Sequence, residues 1–154
     1  AAEFGLMLPR SLASLYESMG EPLAAERQYE IVLEQQPGLD VAANNLAMLL
    51  SADAERLDEA YELVQDFERS RRPALLDTVG WIQVLRGEHR RGAELLRRAY
   101  EESDGVAEIA YHLGVALLRL EQREDARACL ELAVENADAG FDVSEARRLL
   151  ENEL

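Results

Sequence analysis

Two histidines, one cysteine and a large set of carboxylates are the residues of this chain whose chemistry could be catalytic or metal-binding. His89 and His112 stand far apart, and neither belongs to a His-x-x-Glu-His pattern, so the spacing that holds a hydrolytic zinc is missing. The single cysteine, Cys129, excludes an intrachain disulfide framework. It sits in Ala126-Arg127-Ala128-Cys129-Leu130, inside an amphipathic pattern, where a free thiol reads as a small packing residue rather than a nucleophile. No glycine-rich phosphate loop occurs. The acids fall at helical spacing from arginines, as Glu94 does from Arg97 and Arg98, and Glu124 from Arg127. Such spacing makes solvated i, i+3 and i, i+4 pairs, not a cleft-bound acid–base dyad. The expectation is a protein that is not an enzyme, with no catalytic residue, no cofactor and no metal.

The elements that carry these residues must therefore work by surface and shape. The chain has 154 residues, and 48% are hydrophobic, enough to bury a core. Its net charge of −15 argues against nucleic acid, whose phosphates require basic residues, and against an anionic membrane surface. No apolar run approaches the ~18 residues of a membrane span, so no direct membrane insertion is expected. No signal-peptide pattern is visible. Every basic residue is arginine, which with the wealth of Ala and Leu suggests a GC-rich bacterial gene. Residues 1–5, beginning Ala1-Ala2-Glu3-Phe4, read as a linker or cloning remnant and are set aside.

Self-similarity organises the remainder. Gly80 and Gly114, Leu96 and Leu130, and Ala99 and Ala133 are each 34 residues apart. Blocks of 6–39, 40–72, 73–106 and 107–140 align on two sets of small residues. Ala13, Ala47, Gly80 and Gly114 fall in a first helix; Ala25, Ala60, Gly92 and Ala126 fall in a second. Small residues at both places let antiparallel helices approach closely, and glycine in a helix interior, at roughly 0.5–1 kcal/mol relative to alanine, implies that packing offsets the cost. Helices are expected at 6–19, 22–36, 40–52, 57–71, 74–86, 89–103, 106–120 and 123–136, with turns at Gly20-Glu21-Pro22, Gln36-Pro37-Gly38, Gly87-Glu88 and Asp104-Gly105. In the second block Ala60 falls one residue late, so Ser51–Arg56 holds an insertion, and looser packing is expected between blocks two and three. Residues 141–154 read as a closing helix with the stripe Val143, Ala146, Leu149 and Leu150. Asp142 is its expected cap, and Glu145 completes a capping box. The N-terminal end shows no such cap, so further repeats are expected to precede it, and the surplus of apolar residues at Leu6, Met7, Leu8, Leu12 and Leu15 points to self-association through that end.

This pattern resembles the tetratricopeptide repeat (TPR). The resemblance covers nearly the whole chain and implies an all-α fold, a right-handed superhelical solenoid of antiparallel helix pairs with a C-terminal capping helix. In that family the first helix of each pair lines a concave groove that holds a protein or peptide. Carried onto this sequence, the resemblance assigns Asn44, Asn45 and Met48, then Asp77, Thr78 and Trp81, then Glu108, Tyr111, His112 and Val115 as partner-binding positions. Trp81 and Tyr111 would be anchors, and Asn44 and Asn45 would bond an extended backbone; the rival readings are that Trp81 packs between repeats and Asn44 caps local backbone. The family's clamp for a C-terminal carboxylate does not fit: Arg10 and Asn45 match it, but Ser14, Ala74 and Thr78 do not. Three stretches, Asn44-Asn45-Leu46-Ala47, Leu75–Ile82 and Tyr111-His112-Leu113-Gly114, together with the closing helix, resemble the C-terminal end of bacterial multi-repeat proteins. One such group is the repeat lipoprotein of exopolysaccharide and exosortase (PEP-CTERM) systems. That resemblance implies envelope assembly by a periplasmic, lipid-anchored parent; the residues alone leave periplasm and cytoplasm both open. The rival function is a purely structural solenoid segment that mediates self-association of a longer repeat protein.

Overall fold

Turn chemistry sets the helix boundaries. Gly87 adopts φ 90°, a left-handed conformation that a side chain resists, directly after the helix that ends at Leu85. Pro22 and Pro73 open their helices in the first turn, where a missing N–H costs nothing. The computed structural model describes residues 18–138 and 140–154. The expected helix at 6–19 and its apolar surplus fall almost wholly outside the described residues.

The described α-helices are α1 (Pro22–Gln35), α2 (Asp40–Leu50), α3 (Leu57–Val64), α4 (Pro73–Leu85), α5 (His89–Ser103), α6 (Ala107–Arg119), α7 (Arg123–Glu135) and α8 (Ser144–Asn152). No strand occurs among the described residues. Connections of a few residues fold α1, α2 and α3 back on one another, and likewise α4 through α8, as antiparallel neighbours. The fold is all-α, of the TPR kind.

The chain divides into two compact units, 1–64 and 65–154, so the division falls inside the second sequence block. In the first unit α2 packs against α1 and α3, with Ala25, Tyr29, Val32, Leu46, Ala47, Ala60 and Val64 buried. The insertion at Ser51–Arg56 is ordered locally. Ala54–Arg56 forms a 3-10 turn, capped by Asp53, whose carboxylate accepts from the Glu55 N–H at 2.9 Å. Arg56 then ties the pair together, donating to both oxygens of Glu26 (2.6 and 3.0 Å) and to Glu59.

The second unit opens with a departure from expectation. The helix expected over 57–71 is α-helical only to Val64, and Gln65–Arg69 is a 3-10 segment. Long-range bonds account for the change. Arg98 donates to the carbonyl oxygens of Glu68 (2.9 Å) and Ser70 (3.4 Å), and Phe67 is buried, so the segment follows its partners and not the α ladder.

Beyond it, α4 with α5 and α6 with α7 form close pairs around Val84, Leu96, Leu113, Leu117 and Ala126. The glycines permit the approach. A Cβ on Gly80 would lie 2.9 Å from Leu96 Cγ, and one on Gly114 2.8 Å from Leu130 Cγ. The closing helix α8 packs on α7 with Ala146 and Leu149 buried, beside Val115 and Leu130.

Its cap differs from the expected box. Asp142 does accept, from the Ser144 N–H at 2.9 Å and the Ser144 hydroxyl at 2.6 Å, and these bonds hold its carboxyl below the usual range. Glu145, however, turns along the helix to Arg148 (2.7 Å) instead of back to the cap, because the i, i+3 arginine is the stronger, charged donor.

Candidate functional site

The polar residues expected on a groove separate into those that are held inside and those that face out. Asp77, on α4, and His112, on α6, are 8% and 4% exposed, and the His112 ring N–H at Nδ1 donates to Asp77 Oδ1 at 2.7 Å. Thr78 is 3% exposed, and its hydroxyl donates to the Ala74 carbonyl at 3.0 Å. All three side chains are thus held inside the second unit. Asp77 and His112 meet across the α4–α6 contact, where an unpaired polar group would be costly and their bond satisfies both, while Thr78 bonds within its own helix.

What this pair positions is aromatic. Trp81 lies stacked on the His112 ring, centroids 4.3 Å apart and planes at 19°. Tyr111 stands 6.1 Å from Trp81 and 5.8 Å from Phe141, tilted to both, in the offset geometry that aromatic pairs prefer. Trp81 and Tyr111 are half-buried: part of each ring packs inward and part faces out.

Their outer faces border a cavity of about 150 Å³ lined by Trp81, Tyr111, Val115 and Leu118, with α8 supplying Glu145, Arg148 and Leu149, the residue after it Glu153, and α6 adding Arg119. Arg148 is bridged to Glu145 and approaches Glu153 at 3.7 Å. Arg119 makes no ion pair or hydrogen bond among the described residues and leaves a positive group at the rim. Burial, with the Glu145 carboxylate adding to it and Arg148 opposing, pushes the Tyr111 phenol above its ordinary value, so it is a neutral donor at physiological pH.

Of the remaining expected positions, Val115 is nearly buried but contributes to the cavity wall, and Glu108 is exposed in the first turn of α6. Asn44, Asn45 and Met48 lie on α2, in the other unit, and are half-buried. Asn45 Nδ2 donates to the Tyr29 hydroxyl at 3.3 Å, and the Met48 carbonyl accepts from Ser51 Oγ. Asn44 Oδ1 is buried, with no hydrogen-bond partner among the described residues.

Sequence reasoning did not assign Arg119, Phe141, Glu145, Arg148 or Leu149 to the site. The available signal was the stripe of the closing helix: once that helix is treated as a further first helix of a pair, its Glu145–Arg148 face falls beside Tyr111.

Cys129 is half-buried against the α4–α7 core, and burial is the main reason its thiol is pushed up from its usual value. No group of three metal-ligating side chains occurs among the described residues, and no described helix is long and apolar enough to cross a membrane.

No protein-family model matches the chain. A TPR repeat-containing protein of Pseudomonas aeruginosa is 30% identical over 114 residues, which is 73% of this chain and 19% of that protein, so the chain spans about a fifth of its relative's length. Solved structures agree in fold. MamA from Desulfovibrio magneticus RS-1 superposes with a TM-score of 0.71 at 14% identity, over 85% of this chain and 75% of that one. The PilF structure of Pseudomonas aeruginosa gives 0.70 at 15%, over 94% and 68%. A thermophilic TPR protein of Thermus thermophilus gives 0.58 at 21%, over 95% and 97%.

Proposed function

The chain is a tetratricopeptide-repeat protein, and from that premise we propose that it is a non-enzymatic protein-interaction scaffold that seats a peptide segment or partner helix against Trp81 and Tyr111. One observation carries the reading. Two aromatic rings, fixed from behind by the buried Asp77–His112 bond, present their free faces to a cavity of about 150 Å³. Rigid aromatic anchors beside a pocket are where interfaces concentrate their binding energy. A cavity of this size takes one apolar side chain of a partner, and Arg119 at its rim favours a flanking acceptor.

Asn44, Asn45 and Met48 are proposed as contacts of the first unit. Glu108, exposed at the start of α6, and Val115 in the cavity wall complete the proposed set. The partner is a protein or peptide; the net charge of −15 disfavours nucleic acid. A role in bacterial envelope or exopolysaccharide assembly belongs to the same proposal and rests on the motif resemblance around Asn44–Ala47 and Tyr111–Gly114.

A second reading, a structural segment of a longer solenoid that mediates self-association, draws on α8. Phe141 and Leu149 already cover part of the aromatic face, as a following repeat would. Trp81 is the only tryptophan, so its emission separates the two. A partner recovered from the source cell should shift that emission on titration. Dilution of the chain alone shifting it instead would favour self-association.

A further inference from the structure

The first unit carries a second groove that the aromatic site does not use. Between α1 and α3 lies a cavity of about 580 Å³ with an apolar floor of Leu33, Leu46 and Leu63. Its rim is Glu30 and Glu34 on α1 and Glu59 and Glu62 on α3. The two helices contribute alike: a leucine and two glutamates within one turn of each face the gap. It is a shallow groove open to solvent along its length, a shape that suits an elongated element of a partner and not an enclosed small molecule.

Helix stability does not explain this rim. Glu30 and Glu34 are like charges at i, i+4, which destabilise a helix by a few tenths of a kcal/mol. Only Glu59 is paired, with Arg56 at one end of the gap; Glu30, Glu34 and Glu62 make no ion pair or hydrogen bond among the described residues.

The second unit shows how the same place is closed from within. Arg91 directly precedes Gly92, the small residue of α5, and reaches Glu68 at 2.8 Å. Arg98 fills the adjoining space by its bonds to the Glu68 and Ser70 carbonyls. Beside Arg98 a smaller cavity of about 240 Å³ is lined by Ser70, Arg71, Leu76, Arg98, Glu101 and Glu102, so arginines there face the glutamates. In α3 the residue directly preceding the small Ala60 is Glu59, so a carboxylate stands where the other unit has its bridging arginine.

We infer that the α1–α3 groove docks a basic amphipathic helix of a partner protein, with apolar side chains on Leu33, Leu46 and Leu63 and arginine or lysine between the unpaired glutamates. The partner's cations supply the bridging charge that Arg91 supplies in the second unit. Apolar contact sets position, and charge sets which helices are accepted.

The test uses the whole chain and a defined probe, a short fluorescein-labelled helical peptide of Ala, Leu and Arg with a leucine stripe between two rows of arginine. Anisotropy and methyl NMR are read together. Binding should move the methyl signals of Leu33, Leu46 and Leu63. The combined Glu30→Gln, Glu34→Gln and Glu62→Gln variant should bind at least about tenfold more weakly, a difference of about 1.4 kcal/mol. Removing equal charge elsewhere, by Glu131→Gln, Glu135→Gln and Glu151→Gln together, should leave affinity within about twofold. A peptide of the same composition with leucines scattered round the helix should lose binding. The inference is overturned if the scattered peptide binds as well, if the two triple variants weaken equally, or if the shifts fall on the Trp81 cluster. A failure here leaves the aromatic site untouched, since its readout is Trp81 emission.

Discussion

Gly92 lies so close to Gly80 that a methyl group on its Cα would stand 2.8 Å from the Gly80 carbonyl oxygen and 2.5 Å from Val84 Cγ2. Two of the nearest atoms, Gly80 O and Val84 N, are backbone, so relief requires α4 and α5 to separate. Gly92→Ala should therefore destabilise the protein by about 1–3 kcal/mol, the usual cost of overpacking, although alanine gains up to about 1 kcal/mol of helix propensity. Gly38→Ala, with nothing within 4 Å, should stay within about ±0.5 kcal/mol. Thermal or urea midpoints compare them; equal midpoints would refute the close crossing.

Glu121 holds φ 60° in the turn after α6, the position Gly87 holds after α4. A left-handed residue with a side chain costs roughly 1–2 kcal/mol. Glu121→Gly should recover about 1 kcal/mol, visible as a raised melting temperature of a few degrees. A lowered midpoint would mean that the Glu121 side chain has a stabilising role that outweighs the strain.

Asp77→Ala leaves the His112 Nδ1 group buried without its acceptor, and should cost about 1–3 kcal/mol. Asp77→Asn keeps an oxygen in place and should cost less. Chemical denaturation ranks the two; the reverse order would show that the bond does not hold α4 to α6.

Cys129 should react slowly. Burial raises its thiol pKa, so at a pH below that of a free thiol the folded protein holds less thiolate than the unfolded chain. Alkylation at pH 8 should be several-fold slower in native protein than in urea. Equal rates would contradict the packing role.

The helices and their turns were legible because their signals are local: small residues at fixed intervals, Pro22, Pro73 and Gly87 at boundaries. The 3-10 segment at Gln65–Arg69 was not, since it answers to Arg98, thirty positions from Glu68. In the candidate site, Trp81 and Tyr111 are legible as groove positions because such positions repeat with the blocks. Their neighbours Asp77, Thr78 and His112 occupy positions of the same periodicity but turn into the repeat contact, and one helix's pattern cannot say which side the next helix covers. Arg119 and the α8 face were missed for the same reason: they enter the site only through the packing of α8 on α7 beside Val115.

Whether Trp81 anchors a protein partner is decided by the affinity for a partner recovered from the source cell, compared between the natural chain and Trp81→Ala. Circular dichroism first establishes that the variant keeps its helices. Binding should shift Trp81 emission in the natural chain and should be about five- to thirtyfold weaker for the variant, the loss that corresponds to an anchor worth about 1–2 kcal/mol. A folded Trp81→Ala chain that binds with unchanged affinity, with no emission change in the natural protein at saturation, would contradict an anchoring role for Trp81.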